Sequence, residues 1–444
     1  MLKQVRHGGK GRRTFIAFAL LLLVVVTLPG PTFAQPTPAY QSRARQLLTI
    51  LAAPAKEEDY FSDVFLKAVP VDQWRALAAD LRQQHGKPLA MGAVTQNGAT
   101  AGQVEIRYER ATVGFTLVVA PDPPNRVVGL RIVGVRHADD NIDKLIADLA
   151  ALPGRTAFAA ARLTDAGAQP LRALNTDVQM ATGSAFKLYV LAEAARAIAT
   201  QERRWSDVVP LSHKSFSGRL MAWPDNAPMT LHSLAAAMIA ESDNSAADTL
   251  LLALGREQVG AMLGRTGHAA AAKSLPLLGT AEAFALKMPI NSGLRARYVA
   301  ASAPERLALL KDNAAHLGPG AIDIGSVAEK PTAIESIEWF ASPTDAILLL
   351  DWLRREGGDA LPILAINPGI GPADAKRWAY LGYKGGSEPG VIAMNFLARA
   401  HDGQWYALSG SWNDPAARVD DAKFAALMAR ALNLLSVPAS APAL

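Results

Sequence analysis

Two side chains suited to act as a nucleophile and its base lie three residues apart in this 444-residue sequence. Ser184 and Lys187 form its only Ser-x-x-Lys, at the beginning of an apolar-periodic run over residues 181–200 that contains no proline. Such a run predicts a helix, and a spacing of three puts both side chains on one helix face. A lysine held neutral there can accept the proton of the serine hydroxyl, so Ser184 is a candidate nucleophile for acyl transfer.

Two further polar motifs follow in chain order. Ser-Asp-Asn occurs once, at residues 242–244 after a predicted helix, and Lys-Gly-Gly lies at residues 384–386 among strand-like residues. Taken alone, Ser184 reads as a helix N-cap, the second motif as a polar turn and the third as a solvated turn. The three together, in this order and each beside a regular element, favour one shared catalytic site.

The trio Ser-x-x-Lys, Ser-Asp-Asn and Lys-[Thr/Ser]-Gly is the signature of serine β-lactamases and penicillin-binding proteins. Over roughly residues 141–436 the sequence resembles this superfamily, and the class A β-lactamase branch most closely. The resemblance implies an antiparallel sheet with flanking helices and a helical lobe. It also implies an acyl-enzyme at Ser184, with no cofactor and no metal.

The resemblance and the side-chain chemistry together suggest a role for each residue. Lys187 is expected to be the base, with its pKa lowered by burial and by the second cation, Lys384. Ser242 is suited to relay a proton to the leaving group, and Asn244 to hydrogen-bond Lys187 and the amide arm of the substrate. The resemblance implies that Lys384 lines the cleft and attracts a substrate carboxylate.

The implied oxyanion hole consists of the backbone N–H groups of Ser184 and Ser387, the latter on an edge strand. Fixed donors of this kind typically contribute a factor of roughly 10² to 10³ each. Glycines at 385 and 386 let a ligand approach the strand backbone closely, so Gly386 and Ser387 are predicted to bind substrate.

The sequence departs from the class A pattern in two places. Gly385 stands where Thr or Ser is usual, although the Ser387 hydroxyl is placed to compensate. The Glu-x-x-Leu-Asn that carries the deacylating glutamate of class A enzymes is absent. Glu329, Glu335 and Glu338 lie in the corresponding general stretch, where capping or surface solvation is the alternative role for each. Acylation is therefore expected, while turnover of penicillins is in doubt.

An N-terminal α+β domain followed by a β-lactamase-like domain without that glutamate is similar to the β-lactamase-like esterase of clavulanic acid biosynthesis clusters. The stretches GSAFKLYVLAEAA and WPDNAPMTLHSLAAAMIAESDNSAADTLL carry this likeness. It implies a penicillin-binding fold with esterase or weak β-lactam activity.

The sequence before the motifs predicts a separate domain at residues 36–137. Apolar periodicity predicts three helices within residues 40–84, around Leu47, Phe61 and Leu77. Four strands follow, at about 88–95, 102–110, 112–120 and 126–135. Helices followed by strands predict an α+β domain, which looks like the steroid isomerases and nuclear transport factor 2.

Residues 137–140 are the predicted hinge, and a β-lactamase-like domain is predicted over 141–436. Its predicted helices and strands are, in chain order, a helix at 141–151, a strand at 156–163, a helix after Ser184, helices at 231–240 and 346–354, strands at 378–384, 390–399 and 404–411, and a helix at 420–435. The final residues, 437–444, are predicted to be disordered.

Residues 1–34 have the pattern of a secretory signal, with five Lys or Arg, no acid, and an apolar core over residues 15–28. An uncleaved anchor is the alternative. Without this segment the chain has 40 basic and 40 acidic residues, which argues against nucleic acid or a membrane surface as a partner. The sequence contains no Cys, which excludes disulfides and thiolate metal sites. A periplasmic or extracellular location is predicted.

The sequence thus predicts a secreted serine hydrolase that forms an acyl-enzyme at Ser184 with β-lactams or small esters. A D,D-peptidase, a penicillin-binding sensor that acylates without turnover, and a small-molecule binding role in the first domain are the alternatives.

Overall fold

The computed structural model describes residues 37–96 and 98–436, which form two compact units that divide between Val135 and Arg136. The predicted signal at 1–34 and the predicted disordered tail at 437–444 lie outside the described residues. Within the described ranges, every helix is too short or too polar to span a bilayer.

The first unit consists of four helices followed by a four-stranded antiparallel meander in the order β1-β2-β3-β4. Its elements are α1 Pro38–Ala52, α2 Glu57–Tyr60, α3 Asp63–Ala68, α4 Val71–His85, β1 Pro88–Gln96, β2 Ala101–Tyr108, β3 Ala111–Val119 and β4 Val127–His137. The four predicted strands are confirmed. The predicted second helix was wrong in one respect, because Ser62 caps a new helix by accepting a hydrogen bond from the N–H of Phe65 (3.2 Å), which divides the segment into α2 and α3.

Alternation along the strands explains why this meander packs on the helices. In β2, Val104 and Ile106 are fully buried while Gln103 and Glu105 are not, as expected for a strand with one face toward a core. Phe115 of β3 and Trp74 of α4 belong to the same apolar cluster. The unit is therefore an α+β domain, and its likeness to the steroid isomerases stays a prediction.

The second unit is built on a five-stranded antiparallel sheet in the order β11-β12-β13-β5-β6, with smaller two-stranded pairs beside it. Its strands are β5 Arg155–Thr164, β6 Gly167–Leu174, β7 Met180–Ala181, β8 Val208–Pro210, β9 Pro228–Thr230, β10 Phe340–Ala341, β11 Tyr380–Glu388, β12 Val391–Arg399 and β13 Trp405–Asn413. Its helices are α5 Ile142–Ala150, α6 Lys187–Ala199, α7 Leu231–Ala240, α8 Asn244–Leu254, α9 Arg256–Arg265, α10 Ala271–Ser274, α11 Thr280–Lys287, α12 Ser292–Ala300, α13 Ala303–Asp312, α14 Ile324–Glu329, α15 Pro343–Glu356, α16 Ala360–Leu364, α17 Pro372–Ala375 and α18 Asp421–Leu435.

Helices cover both faces of this sheet. Phe158 and Ala160 of β5 join an apolar cluster with α5 and α18, whereas Ala159 and Ala161 join the cluster of α6, α7 and α15 on the other face. The chain between β7 and β10 supplies a helical lobe. The predicted antiparallel sheet with flanking helices and a helical lobe is confirmed.

Two local differences from the predicted elements affect the site. The Ser-x-x-Lys motif straddles a 3₁₀ turn, Gly183–Phe186, and the first residue of α6. The strand predicted at 378–384 runs instead over Tyr380–Glu388, because its nine residues pair without interruption with Val391–Arg399. The Lys-Gly-Gly motif therefore lies inside a strand, directly beside the turn Gly183–Phe186 that carries Ser184, the candidate nucleophile (hereafter the nucleophile turn).

Candidate active site

Ser184 lies at the wall of a cleft of about 300 Å³ in the second unit. Its neighbours in the turn, Gly183 and Ala185, are buried, whereas Ser184 itself is partly exposed. The cleft is lined by three groups of residues, namely Ser184 of the turn; Ile239, Ala240, Glu241 and Ser242 at the end of α7; and Asn367, Tyr383, Lys384, Gly385, Gly386, Ser387, Ile392 and Ala393.

Lys187 is completely buried beneath this wall, in the first turn of α6. Its Nζ donates hydrogen bonds to the carbonyl oxygen of Ser242 (2.6 Å), the Ser242 Oγ (3.2 Å) and the Asn244 Oδ1 (2.6 Å). Burial lowers the pKa of Lys187 to about 7, while Asp248 and Asp243 partly oppose the shift. An amine with this pKa is a competent base near neutral pH.

Ser242 lies between the two lysines of the site. Its Oγ accepts hydrogen bonds from Lys187 and from the Lys384 Nζ (3.0 Å), so it is placed to pass a proton between them and the cleft. Its backbone has a φ of +56°, in the left-handed region that a non-glycine residue adopts at a cost of roughly 1 to 3 kcal/mol. Asp243 holds this conformation by accepting hydrogen bonds from the N–H groups of Ala246 (2.9 Å) and Leu220 (2.8 Å).

Asn244 is oriented by contacts on both sides of its amide. Its Oδ1 accepts the hydrogen bond from Lys187, and its Nδ2 donates to the Ser217 Oγ (2.7 Å). The predicted bond between Asn244 and Lys187 is therefore present in the structure. A substrate amide that binds here competes with Ser217, a neighbour that no sequence motif indicated.

Lys384 is only 3% exposed, and its amine donates to the Ser242 Oγ and to the carbonyl oxygen of Gly385. Burial, and secondly repulsion from Lys187, hold its pKa well below the usual range. The sequence predicts that repulsion between the two lysines lowers the pKa of Lys187. In the structure this repulsion contributes to the lowered pKa of Lys384, whereas burial accounts for the lowered pKa of Lys187. This geometry favours a proton relay through Ser242 over the carboxylate attraction predicted for Lys384.

Gly386 brings the edge strand against the nucleophile turn. A Cβ at this position would lie 2.3 Å from the backbone nitrogen of Ser184 and 2.3 Å from the carbonyl oxygen of Thr182. On the opposite side, a Cβ at Gly183 would lie 3.2 Å from the backbone nitrogen of Ser387. The turn that carries the N–H of Ser184 and the strand that carries the N–H of Ser387 are therefore in direct backbone contact.

Replacing Gly386 with alanine is expected to push β11 away from the turn and lower kcat by roughly 10²-fold, because small displacements of catalytic groups are costly. Steady-state kinetics on an activated ester measures the effect. Gly293→Ala is the matched control, since that glycine lies in a helix and, apart from its own helix backbone and chain neighbours, no described atom lies within 4 Å of the added methyl group. Unchanged kcat in Gly386→Ala would contradict the assigned contact.

The structure gives a physical reason why position 385 is glycine and not the Thr or Ser that is usual in the third motif. A Cβ there would lie 2.1 Å from the hydroxyl oxygen of Tyr383 and 3.0 Å from the carbonyl oxygen of Ala393. The Tyr383 ring packs against Phe396 (4.9 Å between centroids), which fixes it over this position. A branched side chain at 385 therefore requires Tyr383 to move.

The Ser387 side chain lies close to an acid of the second unit. Ser387 is exposed, and its hydroxyl lies near enough to the carboxyl group of Asp421 in α18 to influence the pKa of that acid. Burial raises the pKa of Asp421, and the Ser387 hydroxyl and the charge of Arg418 oppose that shift. The predicted role of the Ser387 hydroxyl in compensating for Gly385 stays a prediction.

The three glutamates considered for deacylation have separate surroundings. Glu329 is exposed at the end of α14, and Glu335 is exposed and paired with Arg155 (2.7 Å). Glu338 is buried, and its two oxygens accept from the Lys287 Nζ (2.8 Å) and from the N–H of Gly183 (3.1 Å). Only Glu338 reaches the nucleophile turn, and there it acts as an acceptor for the backbone. The described residues contain no cluster of three or more His, Cys, Asp or Glu that could hold a metal ion.

Residues 138–308 match the sequence profile of the β-lactamase enzyme family. The matched stretch includes Ser184, Lys187 and the Ser-Asp-Asn at 242–244, and it ends before Lys384. No curated protein matches the chain at a significant level. Part of the second unit is thus similar to the β-lactamase enzyme family, while the likeness to the esterase of clavulanic acid clusters stays a prediction.

The chain is also similar to several solved structures. A β-lactamase from Sphaerobacter thermophilus is 17% identical with a TM-score of 0.44, over 66% of this chain and 94% of that one. A β-lactamase from Chitinophaga pinensis is 17% identical with a TM-score of 0.43, over 66% and 96%. The protein PBP-A is 13% identical with a TM-score of 0.44, over 66% and 93%.

Proposed function

We propose that this protein is a secreted serine hydrolase that forms an acyl-enzyme at Ser184 with β-lactams or small esters. The observation that carries the proposal is the assembly of Lys187, Ser242, Asn244 and Lys384 behind Ser184 at one cleft. A buried amine with a pKa of about 7 supplies the base that a serine nucleophile needs. The signal pattern at residues 1–34 supports export to the periplasm or the extracellular space.

In the proposed reaction, the Ser184 Oγ attacks the carbonyl carbon while Lys187 accepts its proton. The N–H groups of Ser184 and Ser387 stabilise the negative charge that develops on the carbonyl oxygen. The proton then travels through the Ser242 Oγ to the leaving oxygen or nitrogen, and the bond to the leaving group breaks. Lys384 lowers the cost of this transfer because it donates to the same hydroxyl.

Deacylation in this site favours esters over β-lactams. None of Glu329, Glu335 and Glu338 lines the cleft, so we assign Lys187 as the base for the water that attacks the acyl-enzyme as well. An ester loses its alcohol by diffusion, which opens the space beside Ser242 for that water. A β-lactam keeps its leaving nitrogen tethered to the acyl group, where it blocks the approach.

The charges around the cleft also favour esters over β-lactams as substrates. Of the described residues that line it, the sole cation is the buried Lys384 and the sole acid is Glu241, which is paired with Arg219 (2.8 Å). Burial, and secondly the charge of the Asp421 carboxyl group, raise the pKa of Tyr383, whose hydroxyl lies over Gly385 of the third motif. An acyl donor without a carboxylate suits this environment better than a penicillin or a cephalosporin, which carries one next to its ring.

Hydrolysis of a chromogenic cephalosporin and of a chromogenic short-chain ester, side by side, tests the proposal. We expect steady turnover of the ester and a burst of about one equivalent of cephalosporin followed by little turnover. Both signals should disappear in Ser184→Ala. An enzyme that hydrolyses neither compound would refute the proposed activity.

The alternatives give different results in the same set of assays. A D,D-peptidase releases terminal D-alanine from muropeptides, which a mass-spectrometric product assay detects. A sensor that acylates without turnover shows a single burst with the ester as well as with the cephalosporin. A binding role in the first unit leaves both assays silent in the wild type.

A further inference from the structure

A second group of buried charges lies behind the proposed oxyanion hole, outside the lysine pair already described. Lys287, at the end of α11, is 1% exposed in its side chain, and its Nζ donates to Glu338 (2.8 Å) and to Glu388. The side chains of Glu338 and Glu388 are 0% and 6% exposed. Burying three ionisable side chains costs folding free energy, and removing one member of such a cluster strongly destabilises a protein. The location of this cluster in the fold is therefore informative about its role.

Each carboxylate of this cluster leads to one side of the hole. The second oxygen of Glu338 accepts a hydrogen bond from the N–H of Gly183 (3.1 Å), the residue immediately before Ser184. Glu388 immediately follows Ser387 on β11. Lys287 therefore joins the chain segment of one oxyanion donor to the chain segment of the other, across 51 and 101 residues of sequence.

We propose that Lys287, Glu338 and Glu388 are positioning residues that align the N–H groups of Ser184 and Ser387 toward a single oxyanion. The inference rests on the proposed acyl-transfer function, since it assigns the cluster to the hole of that reaction. Gly386 permits the two segments to touch, and the cluster fixes the direction in which they face each other.

The net charge of the cluster is compatible with a position close to an oxyanion. One ammonium between two ionised carboxylates leaves a net negative charge, which would oppose a developing anion a few residues away. Burial, and secondarily the charge of Glu338, raise the pKa of Glu388 well above its usual range, against the attraction of Lys287. This shift favours the protonated form of Glu388, which would make the cluster neutral while its carbonyl oxygen still accepts from Lys287.

If the cluster had a purely structural role, replacing one of its residues would change the thermal stability alone. The second unit contains another cation between two carboxylates that serves as a control. Arg430 of α18 likewise lies between two carboxylates, Asp140 and Asp148 (2.5 Å to Asp148), although its side chain is 18% exposed and that of Asp148 is 56% exposed. It contacts the loop before α5 and α5 itself, and neither segment lines the cleft. Arg430→Met therefore removes a cation of the same kind without touching the hole.

The experiment compares Lys287→Met, Glu388→Leu, Glu388→Gln and Arg430→Met with the wild type. Each is assayed for kcat and KM on the chromogenic ester, for the inhibition constant of an alkyl boronic acid, and for its thermal midpoint. The boronic acid forms a tetrahedral anion on the serine and so reports on the oxyanion hole.

We expect Lys287→Met and Glu388→Leu to lower kcat by about 30-fold or more with KM within about threefold, and to weaken boronate inhibition in parallel. Glu388→Gln should retain kcat within about threefold, because its amide oxygen still accepts from Lys287. Arg430→Met should lower the thermal midpoint without changing the inhibition constant.

The outcomes distinguish a failure of the positioning role from a failure of the proposed acyl-transfer function. An active wild type whose Lys287→Met and Glu388→Leu variants keep normal kcat and boronate inhibition would overturn the positioning role and leave the acyl-transfer function intact. Should Lys287→Met fail to fold, the contrast between Glu388→Leu and Glu388→Gln decides alone, with equal values in both contradicting the proposal. An inactive wild type would refute the proposed function itself.

Discussion

Replacing Ser184 with alanine is expected to lower kcat/KM for the chromogenic ester by about 10³-fold or more and to eliminate the cephalosporin burst. The reason is chemical, because the variant lacks the oxygen that becomes acylated while the lysine pair and the oxyanion donors remain in place. The Ser184 side chain is partly exposed at the cleft, so its loss removes no core packing. Burst and steady-state kinetics measure both effects.

Ser233→Ala is the control for this experiment. Ser233 is an exposed serine in the first turn of α7, where it packs against no part of the cleft. It should have wild-type kinetics. Ester hydrolysis that survives in Ser184→Ala at a wild-type rate would mean that another group carries the acyl transfer.

Replacing Lys187 with methionine is expected to lower kcat by roughly 10²- to 10⁴-fold, the range of a lost general base. Methionine fills a similar volume, and it relieves the cost of burying an amine, so the folded protein should be at least as stable to heat. Loss of activity with an undiminished thermal midpoint therefore separates the chemical role of Lys187 from a structural one. A variant with more than a tenth of wild-type kcat would contradict the assignment of the base.

The pH profile of the wild type carries the same information. The base must be neutral, and burial lowers the pKa of Lys187 to about 7, so kcat/KM should rise as the pH increases through about 7 and level off above it. Asp248, whose own pKa burial raises to about 6, attracts the charged form of Lys187. Asp248→Asn should therefore move the rise to lower pH, and a rise that moves to higher pH would conflict with the account.

Much of the candidate site was predictable because its chemistry is local in sequence. The spacing of Ser184 and Lys187 places them about one turn apart, and the structure has them in a 3₁₀ turn and at the first residue of α6. The Ser-Asp-Asn at 242–244 and the Lys-Gly-Gly at 384–386 were assigned by their order along the chain, and hydrogen bonds connect Lys187, Ser242 and Lys384 in the structure. Short motifs of this kind can be recognised from the sequence alone because the chemistry requires those residue types.

The residues that sequence reasoning missed depend on long-range contacts. Tyr383 was not distinguishable from other strand residues, yet its hydroxyl occupies the space above Gly385. Lys287 and Glu388 are far apart in sequence and meet only through the tertiary fold. Glu338 was noted as a candidate base, and only its bond to the N–H of Gly183 reveals which part of the site it contacts.

The elements that were mispredicted show where tertiary pairing overrides local signals. β6 was not predicted, since Gly167 and Pro170 are unfavourable within strands, but it lies at a sheet edge, where proline is tolerated. β11 extends through two glycines because its whole length pairs with β12. Strand propensity is weak compared with such pairing.

The central claim is that Ser184 becomes covalently acylated, and intact-mass spectrometry followed by peptide mapping tests it most directly. After incubation with a penicillin, we expect the protein to gain the mass of one intact penicillin molecule, located on the peptide that contains Ser184 and absent from Ser184→Ala. An unmodified wild-type protein, or an adduct on a different residue, would contradict the account.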